Sequence, residues 1–202
     1  MEILILLGIG FALYALRGGL GLKFGSPTAK GYARVLYWRK IVENEIKIAS
    51  NIIPPEIVLA IIAQESMGQD HTETGSAKEE GIMQITPMGL AYTGLPYTMN
   101  QIKNDQRIGI KVGIAHLVKD YNYLNGSIHN AIMAYNIHRD HIRRYLDGDP
   151  SEKDLAIIRG TGKNYLNAIL KVHRPRILEL LLKADIDNKE SENFIEYQEW
   201  FV

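Results

Sequence analysis

Residues 58–68 read V-L-A-I-I-A-Q-E-S-M-G, and this stretch predicts a short helix that carries one carboxylate among apolar side chains. Four residues follow the i, i+3, i+4, i+7 spacing of a single helix face: Val58, Ile61, Ile62 and Glu65. Pro54-Pro55 indicates where the helix begins, and Gly68 indicates where it ends. Glu65 is therefore expected to point toward the core.

A glutamate in this position is expected to favour its protonated form. Apolar surroundings disfavour the charge of the carboxylate, and the dipole at the C-terminal end of a helix disfavours it further. A carboxyl group whose pKa is raised in this way is suited to general acid catalysis. The alternative is that Glu65 turns outward into water, as most glutamates on helices do.

Two further motifs follow Glu65-Ser66 along the chain. Residues 81–87 read G-I-M-Q-I-T-P, and residues 134–136 read A-Y-N. In this order and at these separations, the three motifs resemble those of the lytic transglycosylase family, of the soluble type, in the goose-type lysozyme superfamily. The resemblance extends over roughly residues 41–173. It implies an all-α, lysozyme-like helical domain that acts on peptidoglycan glycan strands.

The resemblance implies a reaction with one catalytic carboxylate, although glycoside cleavage ordinarily uses two. Glu65 would protonate the oxygen of the β-1,4 bond between N-acetylmuramic acid (MurNAc) and N-acetylglucosamine (GlcNAc). As a carboxylate it would then accept the proton of the MurNAc C6 hydroxyl, whose attack leaves a 1,6-anhydro-MurNAc end. The chain is thereby predicted to be a peptidoglycan lytic transglycosylase for local cell-wall degradation, working without a cofactor.

The resemblance also assigns substrate-binding roles to motif positions. These positions are Ser66, Gly81, Met83, Gln84, Tyr135, Asn136 and Tyr165. Within this set, Tyr135 is expected to contact Glu65. Tyr165 is expected to follow a turn formed by Gly160-Thr161-Gly162.

Two of these positions have structural alternatives. The side chain of Ser66 could cap the helix end, and the side chain of Met83 could fill the core. The sequence departs from the family after the A-Y-N motif, where Ile137 and His138 replace the usual small residues. This bulk is expected to reshape one end of the cleft and so to change the substrate register more than the reaction.

Composition excludes several classes of function. The 202 residues carry 23 basic and 23 acidic side chains, so no net field draws the chain to nucleic acid. No cysteine is present, which excludes disulfides and thiolate metal sites. His138 and His141 have a spacing that metal ligands use, but no third ligand of suitable spacing accompanies them. No metal site is predicted.

Residues 1–22 form the most apolar segment and predict a membrane anchor. No charged residue occurs between Ile3 and Leu16, and an apolar helix of about 20 residues crosses a bilayer. A signal peptide is disfavoured because Glu2 precedes the apolar run and no A-x-A cleavage site follows it. The alternative is a buried N-terminal helix of the globular core.

The charges around this segment bear on its orientation. Six basic residues follow the apolar core: Arg17, Lys23, Lys30, Arg34, Arg39 and Lys40. Such a flank favours a cytoplasmic domain, whereas peptidoglycan lies on the other side of the membrane. We expect a single-pass protein whose catalytic domain acts on the cell-wall side. A virion membrane or a secretion apparatus, with other membrane-assembly partners, would reconcile the two observations.

The remaining segments predict helices and loops, with no alternating strand pattern. Helices are predicted from Ser26 to about Asn51, from Asp105 (the central packed helix), from Ser127, from Ser151, over 163–173, and from Pro175. Residues 89–104 are predicted to form a loop with at most one helical turn. The predicted domains are the anchor (1–22), the transglycosylase domain (23–184) and an acidic, aromatic tail (185–202).

Two rival functions are retained. The first is a goose-type lysozyme-like hydrolase on the same fold, in which Asp70 or Glu73 positions a water molecule. The second is a non-catalytic wall-binding or structural subunit of a membrane assembly. A binding module would gain nothing from a buried Glu65, which costs stability.

Overall fold

The computed structural model describes residues 29–69 and 78–185, which form helices and one isolated β-bridge. We number the α-helices along the chain as α1 (Ala29–Tyr37), α2 (Arg39–Ala49), α3 (Pro55–Ser66), α4 (Pro87–Thr93), α5 (Met99–Asn104), α6 (Gln106–Tyr123), α7 (Ile128–Asn136), α8 (Arg139–Leu146), α9 (Glu152–Ile157), α10 (Lys163–Asn167) and α11 (174–185). Two π-helical segments, Ile158–Gly162 and Ala168–His173, join α9 to α10 and α10 to α11. The predicted all-α class is confirmed for these residues.

Helix α3 is buried on nearly every side, not on one face alone. Nine of its 12 residues are buried, and it packs against α1, α2 and the second π-helical segment. Each buried Leu, Ile or Val contributes about 1.5–3 kcal/mol to the free energy of unfolding. Pro55 at its start and the left-handed backbone of Met67 (φ 52°) at its end limit the helix as the sequence predicts. The helix therefore holds Glu65 on a rigid support.

Helix α6 occupies the other centre of the domain, as predicted. It packs against α2, α4, α5 and α7, and Ile110, Ile114 and Leu117 on its inner face are buried. The predicted caps of two later helices are also confirmed. Ser127 accepts a hydrogen bond from the Asn130 backbone, and Ser151 forms a capping box with Asp154. Side-chain oxygens at these positions satisfy the free N–H groups of a first helical turn.

The prediction of a loop over 89–104 is wrong, because most of α4 and all of α5 lie within this range. Thr86 caps α4 ahead of Pro87, and Thr98 forms a capping box with Gln101 at the start of α5. Both helices are too short for their apolar periodicity to stand out among the glycine and proline residues. Capping signals were the only local indication of either helix.

The C-terminal helices are more continuous than predicted. Helical backbone runs without a break from Glu152 to residue 185, and Pro175 lies inside it. The proline lies two residues after the π-helical segment Ala168–His173, where the regular hydrogen-bond ladder is already interrupted. At the other end of the domain, the predicted Ser26–Asn51 helix is divided into α1 and α2, and Ser26 lies outside the described residues.

Several predicted segments lie outside the described residues: the anchor (1–22), most of the loop after α3 (70–77) and the tail from residue 186. Within residues 29–69 and 78–185, no helix is both long enough and apolar enough to span a bilayer. The domain boundaries at 22 and 184 stay predictions.

Candidate active site

Glu65 lies in the last turn of α3, partly exposed, and its carboxyl group faces Tyr165 of α10. The hydroxyl of Tyr165 donates a hydrogen bond of 2.5 Å to Glu65 Oε1. Tyr165 itself is buried, with 3% of its surface exposed, and burial raises the pKa of its hydroxyl well above the ordinary value. It therefore remains a hydrogen-bond donor over the whole physiological pH range.

The surroundings of Glu65 raise the pKa of its carboxyl group from 4.5 to about 7. Desolvation is the main cause, because removing the carboxyl group from water disfavours its charged form. The negative charge of Glu79 raises the pKa further, whereas the hydrogen bond from Tyr165 lowers it. A carboxyl group with this pKa is close to half protonated near neutral pH and can both donate and accept a proton.

The G-I-M-Q motif forms a tight loop that is closed by the β-bridge between Glu80 and Ile85. Gly81 has a φ of +75°, and a Cβ atom there would approach the backbone oxygen of Ile102 to 3.0 Å, so the position requires glycine. Gln84 also has a left-handed backbone (φ 48°), and its side-chain amide donates to Gly81 O at 2.9 Å. Gly81 thus shapes the loop that presents Gln84.

Gln106, a residue that sequence reasoning did not single out, fixes this loop to α6. Its Oε1 accepts a hydrogen bond of 2.7 Å from the backbone of Ile82, and its Nε2 donates to Lys103 O. Gln106 is buried. Its place at the first position of α6 was visible in the sequence, but nothing local indicated a partner 24 residues away.

Tyr135 of α7 connects to the same loop through Met83. Its hydroxyl donates to Met83 O at 2.8 Å. The hydroxyl has one proton to donate, so Tyr165 and not Tyr135 makes the hydrogen bond to Glu65. The side chain of Met83 is fully buried, in the core-filling position that the sequence left open as an alternative.

Ser66 and Asn136 lie at the ends of α3 and α7. The hydroxyl of Ser66 is buried, donates to Ile62 O at 3.2 Å and accepts from the Gly68 backbone at 3.2 Å, which is the capping alternative. Asn136 is partly exposed, and its Oδ1 is buried without a hydrogen-bond partner among the described residues. A buried oxygen without a partner is uncommon in native structures.

Gly160-Thr161-Gly162 is a π-helical segment and not a turn, so the prediction for the backbone ahead of Tyr165 is wrong. A Cβ atom at Gly162 would lie 2.9 Å from Ile137 Cδ1. The glycine therefore allows the segment to pack against the residues that follow A-Y-N. The bulk of Ile137 faces this segment, a role that its position after A-Y-N did not reveal.

His138 and His141 belong to a structural network. His141 Nδ1 lies 2.6 Å from Asp154 Oδ1, and His138 Nδ1 accepts from the Asp140 backbone at the start of α8. Arg144 and the Ser151 cap also bind Asp154, and these contacts hold its pKa below the ordinary range, with Arg144 as the largest cause. Among the described residues, no group of three or more metal-binding side chains is assembled.

Sequence reasoning also missed a cluster formed by Tyr92, His116, Asp120 and Arg139, beside Tyr135. The His116 ring lies 5.4 Å from the Tyr135 ring and 5.3 Å from the Tyr92 ring, measured between centroids. Burial lowers the pKa of His116 to about 4 and raises that of Asp120 to about 7. The i, i+4 spacing of His116 and Asp120 on α6 was the available signal.

Comparison with known proteins gives a family and a fold. The profile of the Transglycosylase SLT domain matches residues 44–158, more than half of the 202 residues. A solved structure of an inactive mutant of the lytic transglycosylase Slt from Pseudomonas aeruginosa is similar with a TM-score of 0.58 at 20% identity. The match covers 71% of this chain and 24% of that chain, so this chain spans about a quarter of its length. No match is found among curated proteins.

Proposed function

The chain belongs to the Transglycosylase SLT domain family, and from this premise we propose that it is a peptidoglycan lytic transglycosylase with Glu65 as its single acid and base. The observation that carries the proposal is the Glu65 carboxyl group on a buried helix. Its pKa is raised to about 7, and Tyr165 holds one of its two oxygens. No hydrogen bond to the other oxygen is made by the described residues, and this oxygen would face the substrate.

The proposed reaction begins with protonated Glu65. Its proton passes to the glycosidic oxygen between MurNAc and GlcNAc as the bond from MurNAc C1 to that oxygen breaks. The resulting carboxylate accepts the proton of the MurNAc C6 hydroxyl, and the C6 oxygen bonds to C1. Glu65 is thereby protonated again, and no water is consumed.

The internal attack explains how one carboxylate suffices. A nucleophile on the same sugar has an effective concentration of about 10⁵–10⁸ M in well-oriented cases, so no second carboxylate is needed to activate water. Tyr165 contributes by orienting Glu65 and by stabilising its carboxylate form after the first proton transfer.

The opposite wall of the cleft would bind the sugars. Gln84 lies on the loop between Glu80 and Ile85, and its amide is the kind of group that pairs with an acetamido substituent. Asn136, at the end of α7, is partly exposed and would contact the sugar or order the neighbouring loop. Ser66 and Met83, by contrast, would act by shaping the wall, since both side chains are buried.

A hydrolase on the same fold is the second candidate, and one observation favours it. The charge of Glu79 acts on Glu65, so a second carboxylate lies close enough to influence the first. In the hydrolase reaction this carboxylate, or Asp70 or Glu73 earlier in the loop, would activate water. A non-catalytic wall-binding subunit is the third candidate, and the raised pKa of Glu65 argues against it because that environment costs stability.

The proposed location is a membrane, with residues 1–22 as a single-pass anchor and the catalytic domain on the cell-wall side. It rests on the uncharged run from Ile3 to Leu16 and on the substrate. A virion membrane or secretion apparatus would fit the basic flank. Protease digestion of intact spheroplasts tests the orientation, and full protection of the domain contradicts a periplasmic location.

Mass spectrometry of the products from purified peptidoglycan tests the reaction. The parent chain is expected to release anhydro-muropeptides, Glu65→Gln none, and Glu79→Gln the same products as the parent. Reducing ends that require both Glu65 and Glu79 would establish the hydrolase instead. No product from the folded parent chain would favour the non-catalytic subunit.

A further inference from the structure

Asp120 is a buried carboxyl group outside the site described above. It lies in the last turn of α6 with none of its surface exposed. Neither of its oxygens makes a hydrogen bond of good geometry among the described residues, although the hydroxyl of Tyr92 lies near enough to lower the pKa of Asp120. Burying a carboxyl group without hydrogen bonds lowers the free energy of unfolding. A buried group of this kind therefore calls for a structural or functional explanation from its neighbours.

The neighbours of Asp120 form a closed cluster. His116 Nε2 lies 3.3 Å from one carboxyl oxygen, and Arg139 Nη1 lies 3.8 Å from the other. The guanidinium group of Arg139 stacks 3.4 Å from the centre of the Tyr92 ring, and that ring meets His116 edge-on. The position of His116 is therefore constrained by residues from three helices: Tyr92 of α4, Asp120 of α6 and Arg139 of α8.

His116 in turn supports Tyr135. The two rings are 5.4 Å apart and inclined by 39°. On the other side of His116, a Cβ atom at Gly89 would lie 3.4 Å from the imidazole ring, so the ring is closely confined. Tyr135 then holds Met83 O at 2.8 Å, in the loop that presents Gln84. Asp120, His116, Tyr135 and Met83 form a continuous path from the end of α6 to the sugar-binding wall.

We propose that Asp120 is a positioning residue for substrate binding: through His116 it fixes the ring of Tyr135, whose hydroxyl anchors the loop that binds the sugar. This inference rests on the proposed function. It assigns different roles to two residues. Tyr165 of α10 orients Glu65, whereas Asp120 of α6 fixes the loop between Glu80 and Ile85. Loss of Asp120 should therefore weaken substrate binding and leave the chemical step intact.

The kinetic constants of the full chain on a soluble, uncross-linked glycan strand test this division. Asp120→Ala is expected to raise KM about fivefold with kcat within about twofold of the parent. Asp120→Asn, which retains the size and an oxygen for His116, is expected to restore most of the affinity. His116→Phe retains the stacked ring but loses the contact with Asp120, and should raise KM as Asp120→Ala does.

Double variants test whether Asp120 acts through Tyr135. Adding Tyr135→Phe to Asp120→Ala should raise KM no further, because both changes release the same loop. Adding Tyr165→Phe should lower kcat by the factor that it shows alone, because it acts on Glu65. Thermal unfolding of each variant accompanies the kinetics, and His116→Phe serves if Asp120→Ala does not fold.

Three results would overturn the proposal: an unchanged KM in both Asp120→Ala and His116→Phe, a loss confined to kcat, or independent effects of Asp120→Ala and Tyr135→Phe on KM. An inactive parent chain would instead contradict the proposed function. The two failures are therefore distinguishable.

Discussion

The hydroxyl of Tyr165 donates a 2.5 Å hydrogen bond to Glu65 across a separation of 100 residues in the chain. This contact joins α10 to the end of α3 and sets two opposing effects on one carboxyl group. Burial raises the pKa of Glu65, and the hydrogen bond lowers it, with about 7 as the result. The pKa of Glu65 thus depends on the packing of two helices that lie far apart in the sequence.

Tyr165→Phe is expected to move the alkaline limb of the activity profile to higher pH. The substitution removes the interaction that lowers the pKa of Glu65, so the carboxyl group stays protonated to higher pH. We also expect kcat to fall about tenfold, because the orienting contact is lost. The measurement is kcat/KM against pH.

Tyr135→Phe is the matched control for this prediction. Its hydroxyl donates to Met83 O, so its loss should leave the alkaline limb in place. Equal displacement of the limb in both variants would contradict the assignment of Tyr165 as the specific partner of Glu65.

Glu65→Gln should stabilise the fold at neutral pH while it abolishes activity. The unfolded chain releases the Glu65 proton near pH 4.5, whereas the folded chain keeps it until about pH 7. Stability from this group is therefore lost as the pH rises between these values. The variant should gain up to about 3 kcal/mol in the free energy of unfolding above pH 7.

Urea denaturation at pH 5 and pH 8 measures this gain. Glu45→Gln, at a partly exposed position on α2, is the control and should change stability little at either pH. A Glu65→Gln variant that is less stable than the parent at pH 8 would mean that the folded protein stabilises the ionised form of Glu65, which contradicts a raised pKa.

Two glycines one turn apart on α6 should respond in opposite ways to alanine. A Cβ atom at Gly113 would clash with Met83 Sδ and lie 3.1 Å from the Tyr135 hydroxyl, whereas all contacts at Gly109 are 3.7 Å or longer. We expect Gly113→Ala to cost about 1–3 kcal/mol and to reduce activity. Gly109→Ala should stabilise by about 0.5–1 kcal/mol, because alanine favours the helix. Thermal unfolding measures the stability of both variants. Equal effects would show that the Met83 side chain moves aside without an energetic cost.

His173 joins α1, α3 and the second π-helical segment through a buried chain of hydrogen bonds. The Tyr32 hydroxyl lies 3.0 Å from His173 Nδ1, and Nε2 lies 2.9 Å from Gln64 Oε1. A neutral ring with its proton on Nε2 satisfies both contacts, since Gln64 Oε1 only accepts. Burial lowers the pKa of His173 from 6.5 to about 4.

The contribution of His173 should disappear in acid. Below pH 6.5 the unfolded chain binds a proton at this histidine that the folded chain binds only near pH 4, so stability falls as the pH drops through this window. The stability advantage of the parent over His173→Gln should shrink by up to about 3 kcal/mol from pH 7 to pH 4. An advantage that does not change with pH would contradict a neutral, buried ring.

The fold class and the place of Glu65 near the end of a short apolar helix could be predicted from the sequence, because both depend on local patterns. The apolar run around Glu65, the proline pair before it and the capping serines at 127 and 151 specify helices within a few residues of themselves. A raised pKa for Glu65 followed from the same pattern, and the structure agrees.

What escaped the sequence depends on contacts between distant residues. Tyr135 was expected to contact Glu65, and it lies close enough for the charge of Glu65 to raise the pKa of its hydroxyl, but its hydrogen bond goes to Met83 O. Nothing local in the sequence indicates that Tyr165 of α10 donates the hydrogen bond to Glu65. Gln106, Asp120 and Arg139 were missed for the same reason: their partners are set by how α6 packs against α5, α7 and α8. Short helices such as α4 and α5 escaped because periodicity needs more than two turns to be recognised.

Uptake of oxygen from water tests the central claim most directly. Purified peptidoglycan is digested with the full chain in H₂¹⁸O, and the new MurNAc ends are analysed by mass spectrometry. Internal attack by the C6 hydroxyl predicts anhydro ends with no ¹⁸O, and none of these ends with Glu65→Gln. One ¹⁸O atom at each new reducing end would show that water is the nucleophile and would contradict a single-carboxylate transglycosylase.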